Sequence, residues 1–379
     1  MLLFSFAIIV KKDSKGGKNM RKYYIDNIRS WTIILVVIYH VVYMFNSVIT
    51  GGVIGPITKA NGVDVVQYLL YPWFMVILFI ISGMCSKYYL EKHTEKEYIK
   101  ARTRKLLVPS TIGLLVFGWI QGYFNMAISH AFDNMPTKIP GVVLYLLMCV
   151  SGTGVLWTIQ VMWILSMVLL LVRKVEKGRL LKIGEKTGII PLILLGILVW
   201  AFAQILNTPV IVVYRFGIYG ISFLLGYYVF SHEAVTDILK KYCVPLLIFA
   251  SVLGIIYVWM DYGKNYAMVP NVNNPLAVTY CWMMCLAILG CMKKWGNHSS
   301  SVSRFLAEKS FGLYVFHYLT LSSCAYYLTT NTEIPGVVIY LLTAVFAFAG
   351  ALILYEIISR IPILRWCVLG IKKEKKYVS

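Results

Sequence analysis

The chain has 379 residues, of which 59% are hydrophobic and only 14% are charged. Ordinary globular domains carry about 25% charged residues, so this composition excludes a soluble globular fold and predicts a membrane protein. The formal net charge is +20, and the basic residues form clusters between apolar stretches. Such clusters indicate contact with anionic membrane lipids and argue against nucleic acid as a partner.

The start of the chain differs from the rest. Residues 1–10 form an apolar run that is too short to cross a bilayer, and a polar segment follows it. The run lacks the positively charged start and the small-residue cleavage site of a signal peptide. We therefore expect residues 1–20 to be a dispensable extension and residues 21–379 to form one membrane domain.

Apolar stretches of about 20 residues, the length that spans a bilayer, follow one another along the chain. There are ten, at 28–49, 65–85, 106–125, 154–172, 188–206, 210–230, 242–260, 275–292, 310–329 and 336–358. If the N-terminus is cytoplasmic, the inner segments hold 31 of the 36 Lys and Arg residues, as the positive-inside rule requires. The sequence thus predicts an all-α protein with ten transmembrane helices and both termini in the cytoplasm.

The first span carries ionisable residues, which are costly inside a bilayer unless they are paired or functional. His40 follows Arg29 by 11 residues and so lies on nearly the same helical face, and Asp26 precedes Arg29 by about one turn. His40 is on the order of 18 Å from the cytoplasmic edge, close to the bilayer centre. An imidazole there can exchange protons, so His40 is a candidate catalytic base; a packing histidine is the alternative.

Weaker candidates occur in later spans. His317 follows Tyr314 in the cytoplasmic half of the ninth span, where a structural hydrogen bond is the alternative to a catalytic role. Trp157 opens the fourth span, where an interfacial anchor is the alternative. The cysteines lie mostly in apolar runs, and no His/Cys cluster has metal-ligand spacing, so no metal is expected.

A dense basic stretch precedes the third span. Lys100, Arg102, Arg104 and Lys105 lie within six residues at a helix entrance, and we expect them at the cytoplasmic surface. Arginine binds phosphate in bidentate geometry, so this stretch is a candidate phosphate site. A purely topological role, as for the other basic inner segments, is the alternative.

These residues resemble motifs of the acyltransferase-3 family of integral membrane acyltransferases, and the resemblance covers nearly the whole chain, from Tyr23 to about Gly370. The opening signature is similar through Asp26, Arg29 and His40. The second-span Phe-x-x-Ser-Gly motif is similar through Ser82. The two ends of the chain are most similar to the branch that contains the periplasmic glucan succinyltransferase.

Three later motifs agree in order, with two departures. In the cytoplasmic Arg-x-x-Arg stretch, Lys105 stands three residues after Arg102, and the second arginine is Arg104. The fourth-span Leu-Trp motif matches at Trp157, but Thr158 replaces a common aromatic residue. The late Ser, Tyr and His motif matches at Ser310, Tyr314 and His317.

The resemblance implies transfer of an acyl group, most often acetyl and in one branch succinyl, from cytoplasmic acyl-CoA. The implied acceptor is a hydroxyl of a cell-surface or periplasmic carbohydrate at a bacterial cytoplasmic membrane, and no bound cofactor is expected. His40 would act as general base or through an acyl-histidine relay. The implied donor-binding residues are Arg29, Arg102, Arg104 and Lys105, and the supporting residues are Asp26, Ser82, Trp157, Tyr314 and His317.

The alternative from another functional class is a polytopic transporter or flippase for a glycan or small solute. A midplane histidine among intramembrane charges also fits a proton-coupled carrier. The sequence has no visible internal repeat or pair of broken helices, which favours the enzyme. The oligomeric state is not predicted.

Overall fold

The computed structural model describes residues 22–49, 51–57, 62–133, 135–136, 139–208 and 212–372. The expected extension at residues 1–20 lies outside these ranges. The described residues form helices and no β-strand, so the all-α prediction is confirmed. The helices are α1 Tyr23–Met44, α2 Val65–Leu90, α3 Glu95–Ile128, α4 Gly141–Ser151, α5 Gly154–Glu176, α6 Arg179–Glu185, α7 Ile189–Ala203, α8 Phe216–Phe230, α9 Glu233–Lys241, α10 Cys243–Asp261, α11 Pro275–Trp295, α12 Ser301–Asn331, α13 Gly336–Arg360 and α14 Pro362–Leu369.

Within the described residues, 7 helices are long and apolar enough to cross a membrane: α1, α2, α3, α5, α10, α11 and α13. The other predicted spans fall on α7, α8 and α12. Helices α7 and α8 are apolar but short, and α12 has 31 residues without belonging to this set. The chain is therefore a multi-pass membrane protein, while the count of ten spans and the cytoplasmic location of both termini stay predictions.

Helix α1 is central to the bundle, where it packs against α2, α11, α12 and α13. Tyr24, Ile28, Val36 and Val37 are at most 1% exposed. The amide of Asn27 donates hydrogen bonds to the carbonyls of Gly296 and His298, at 2.7 and 3.0 Å, and so ties the start of α1 to the loop after α11. The polar residues of α1 consequently meet other helices rather than lipid.

Helices α2 and α8 pack backbone to backbone through reciprocal glycines. A Cβ atom at Gly83 would lie 2.0 Å from the Phe223 carbonyl oxygen, and one at Gly226 would lie 2.0 Å from the Ile80 carbonyl oxygen. Small residues at helix contacts are typical of membrane bundles, because they let two backbones approach closely. Gly83 belongs to the second-span motif, so this contact fixes the position of the neighbouring Ser82.

Helix α3 contains two π-helical segments, Thr103–Leu107 and Leu114–Gly118. A π-helical turn inserts an extra residue and rotates the side chains that follow, and such turns are frequent at functional sites. The first segment carries Arg104 and Lys105 directly after Arg102. The local backbone therefore determines how the basic stretch faces the bundle.

A network of charged residues connects three helices at the predicted inner end of the bundle. Glu233, the first residue of α9, accepts hydrogen bonds from Lys22 at 2.5 Å and from Lys293 at 2.8 Å. Burial raises the pKa of Glu233, but the hydrogen bonds from the two lysines outweigh that effect, and the pKa lies below its ordinary value. The network links the beginnings of α1 and α9 to the end of α11.

Candidate active site

Two histidines meet inside the bundle. His317 Nε2 on α12 lies 3.2 Å from His40 Nδ1 on α1, and the ring centroids are 5.0 Å apart. The sequence placed His317 in the cytoplasmic half of its span and His40 near the bilayer centre. The two lie side by side because α12 begins at Ser301, well before the predicted span, so both histidines stand about 25 Å along their helices.

The hydrogen bonds of the pair define a tautomer for each neutral ring. His317 Nδ1 lies 3.0 Å from the Leu313 carbonyl oxygen and 2.9 Å from the Tyr314 carbonyl oxygen, which can only accept, so Nδ1 carries the proton. His317 Nε2 therefore accepts from His40 Nδ1, which also donates to the Val36 carbonyl oxygen at 2.8 Å. The lone pair of His40 is thereby left on Nε2, as a general base requires.

The His40 ring lines a cavity of about 370 Å³, which we call the His40 chamber. Asn125 and Asn265 also line it. The rest of the wall is rich in aromatic rings, several of which carry hydroxyls: Tyr39, Tyr43, Tyr71, Phe74, Trp157 and Tyr219. Amphipathic aromatic rings and amides together suit a ligand that has both apolar faces and hydroxyl groups, such as a sugar.

A second cavity of about 100 Å³ contains two arginines in its wall, and we call it the arginine cavity. Arg29 on α1 and Arg102 on α3 face it together with Ser82 on α2. Its remaining wall is largely aliphatic, with Ile33, Leu78, Ile81, Leu106, Ile159 and Met162. The wall of the cavity thus combines aliphatic side chains with two guanidinium groups.

Arg102 is buried, with 2% of its surface exposed. Its guanidinium donates to the Ser86 hydroxyl at 2.6 Å and to the Ser82 hydroxyl and carbonyl at 3.3 Å. The prediction that placed Arg102 at the surface is therefore wrong, because the serines of α2 form a polar niche that draws the side chain inward. Lys100, two residues earlier, is exposed.

The predicted donor-binding cations act on one another. Arg29 pairs with Asp26 at 2.9 Å, and both side chains are largely buried. The positive charges of Arg104, Arg102 and Arg29 all act on Lys105. Mutually repelling cations favour binding of an anion, and arginine suits phosphate oxygens.

The two cavities share part of their walls. Thr158 on α5 and Tyr314 on α12 line both the His40 chamber and the arginine cavity. The Tyr314 hydroxyl donates to the carbonyl of Val155, in the first turn of α5. A reacting group held at this boundary would have the cations on one side and His40 on the other.

Trp157 lies in the wall of the His40 chamber, and the centre of its ring is 5.4 Å from that of Tyr219. Trp157 is therefore part of the candidate site, whereas the alternative from the sequence was an interfacial anchor. The sequence did not single out Asn125, Tyr39 or Tyr219. Each comes from a different helix, so residue spacing carried no signal that they would meet.

The sequence model of the family described as "Acyltransferase domain" matches residues 22–356. Two proteins named "Glucans biosynthesis protein C", from Salmonella heidelberg and Salmonella agona, are each 21% identical to this chain over 381 residues. Each alignment covers 94% of this chain and 97% of the relative. No solved structure shows significant similarity. The resemblance found in the motifs is thus confirmed, and the chain belongs to the acyltransferase-3 family of membrane acyltransferases.

Proposed function

We propose that the chain transfers an acyl group, most simply acetyl, from acyl-CoA on the cytoplasmic side to a hydroxyl of a cell-envelope carbohydrate. The membrane would be a bacterial cytoplasmic membrane. The observation that supports this proposal is the shared wall at Thr158 and Tyr314, which joins the arginine cavity to the His40 chamber. A transferase needs such a junction, because donor and acceptor must meet at one point.

The donor would enter from the cationic end. Its phosphates would bind at Arg102, Arg104 and Lys105, with Arg29 held nearby by Asp26. The uncharged arm of CoA would follow the aliphatic wall of the arginine cavity. The thioester carbon would then stand at the boundary of the two cavities, and Ser82 would act indirectly by holding Arg102 in place.

The acceptor would occupy the His40 chamber, whose aromatic and amide wall suits a sugar. His40 Nε2 would take the proton of an acceptor hydroxyl while the hydroxyl oxygen attacks the thioester carbon. When the carbon–sulfur bond breaks, the proton would pass to the departing sulfur and free CoA would form. His317 would position His40 and keep its lone pair on Nε2.

The relatives named "Glucans biosynthesis protein C" support a carbohydrate acceptor. Membership in an acyltransferase family favours this function over a transporter or flippase.

Mass analysis of envelope glycans tests the activity. Cells that express the chain should carry acylated glycans that cells without it lack, and His40→Ala should abolish the modification at normal levels of inserted protein. His93→Ala, which removes an exposed histidine outside both cavities, is the matched control and should leave acylation unchanged. Unchanged glycans, or full acylation by His40→Ala, would contradict the proposal.

Binding of a non-hydrolysable acetyl-CoA analogue to purified protein tests the donor site. The double variant Arg102→Ala and Arg104→Ala should weaken binding by at least about tenfold, since it removes two charged phosphate contacts. Lys96→Ala with Lys100→Ala removes the same charge from exposed neighbours and should have a much smaller effect. Equal losses in both variants would show that only net charge matters.

A further inference from the structure

The Thr158 side chain is 2% exposed, and its hydroxyl forms no close hydrogen bond, with the Tyr314 hydroxyl as its polar neighbour. Hydroxyls in helices usually bond back to the carbonyl four residues earlier. Ser166 on the same helix does so, donating to the Met162 carbonyl at 2.6 Å. For Thr158 the corresponding residue is Gly154, which has φ +41° in the irregular first turn of α5, and this bond is not formed.

Other buried hydroxyls in the described part of the chain also form no close hydrogen bond, among them those of Ser310 and Thr343. Neither of these residues lines the His40 chamber or the arginine cavity, whereas Thr158 lines both. Its neighbour at the boundary, Tyr314, already donates its hydroxyl proton to the Val155 carbonyl. Thr158 therefore holds a buried hydroxyl at the point where the two cavities meet, with the Tyr314 hydroxyl beside it and no close hydrogen bond to a protein acceptor.

We infer that the Thr158 hydroxyl donates a hydrogen bond to the carbonyl oxygen of the donor thioester, as a catalytic residue of the proposed acyl transfer. This inference rests on the proposed function. Position 158 is also where the chain departs from its family's fourth-span motif, because a threonine stands where an aromatic residue is common.

His40 and Thr158 have separate roles in the transfer step. The acceptor oxygen bonds to the thioester carbon as its proton moves to His40 Nε2, and the carbonyl π electrons move onto the carbonyl oxygen. The Thr158 hydroxyl stabilises the resulting oxyanion. The carbonyl re-forms as the carbon–sulfur bond breaks, and the thiolate takes the proton from His40. A donor of this kind acts more strongly on the oxyanion than on the ground-state carbonyl, so it lowers the barrier rather than the donor KM.

The test measures transfer of label from radiolabelled acetyl-CoA to glycan in membrane vesicles, with rates normalised to the amount of inserted protein. Thr158→Val keeps the shape of the side chain and removes the hydroxyl. We expect its kcat to fall by about 100-fold, with the KM for acetyl-CoA within about twofold of the wild-type value. Thr158→Ser retains the hydroxyl and should keep most of the rate, whereas Thr158→Ala should lose as much as Thr158→Val.

Thr343→Val is the matched control, because it also removes a buried hydroxyl that forms no close hydrogen bond, but one that lies outside both cavities. It should leave kcat unchanged. If the wild-type protein transfers label and Thr158→Val does so at the same rate, the inference is wrong while the proposed function stands. The same holds if Thr343→Val loses as much activity as Thr158→Val. A wild-type protein that transfers no acyl group would refute the proposed function and this inference with it.

Discussion

Replacing His317 with leucine would remove the acceptor that His40 Nδ1 contacts at 3.2 Å and would place an apolar side chain in this fully buried position. The proton of His40 Nδ1 has a second acceptor, the Val36 carbonyl oxygen at 2.8 Å, which stays in place. The variant therefore loses one of two shared hydrogen bonds that orient the proposed base.

A hydrogen bond of this type contributes about 1 kcal/mol net. Since about 1.4 kcal/mol corresponds to a tenfold change in rate, we expect kcat to fall by roughly fivefold to tenfold, with the KM for acetyl-CoA unchanged. His317→Gln places an amide oxygen where it can accept from His40 and should retain most of the activity.

The assay is the initial rate of label transfer from acetyl-CoA to glycan in vesicles that contain equal amounts of each variant. A loss in His317→Leu as complete as that in His40→Ala would refute the positioning role and indicate that His317 itself reacts. A wild-type rate would show that the Val36 carbonyl suffices to orient His40.

Two further predictions concern stability. Gly226→Ala should strongly lower the thermal midpoint of unfolding in detergent, because its Cβ would lie 2.0 Å from the Ile80 carbonyl oxygen. Gly141→Ala is the control, because a Cβ there meets open space and should leave the midpoint unchanged. Equal midpoints for the two variants would refute the reciprocal glycine contact. The pKa of Glu233 is lowered overall by hydrogen bonds from Lys22 and Lys293, against the effect of burial. The ionised Glu233 should therefore stabilise the fold above the unfolded pKa of about 4.3, and this contribution should be lost as the pH falls through the lower folded pKa. In a plot of stability against pH, Glu233→Gln should flatten this acidic part of the curve. The effect should be below about 1 kcal/mol, because the Glu233 side chain is 58% exposed, and identical pH profiles for the two proteins would contradict it.

Features within one helix followed from the sequence. The spacing of Asp26, Arg29 and His40 along α1 placed an acid, a base and an imidazole on one face, and the structure pairs Asp26 with Arg29 and puts Arg29 and His40 in cavity walls. A helix has a fixed rise and rotation per residue, so residue numbers alone determine which of its side chains share a face.

Contacts between helices did not follow from the sequence. Arg102 was predicted at the cytoplasmic surface because its stretch precedes the third span, yet the niche formed by Ser82 and Ser86 on another helix buries it. The approach of His317 to His40 depends on where α12 begins, and apolar content did not reveal a start at Ser301. Helix register and tilt arise from packing against neighbours, which a hydropathy pattern does not encode.

We propose that an acyl group passes from CoA at the inner face, past Thr158 and Tyr314, to an acceptor in the His40 chamber. The most direct measurement supplies labelled acetyl-CoA to the outside of sealed vesicles of known orientation and follows label in glycan enclosed within them. Inside-out vesicles should label the enclosed glycan, right-side-out vesicles should not, and His40→Ala should abolish labelling. Equal labelling in both orientations, or labelling that survives His40→Ala, would contradict the account.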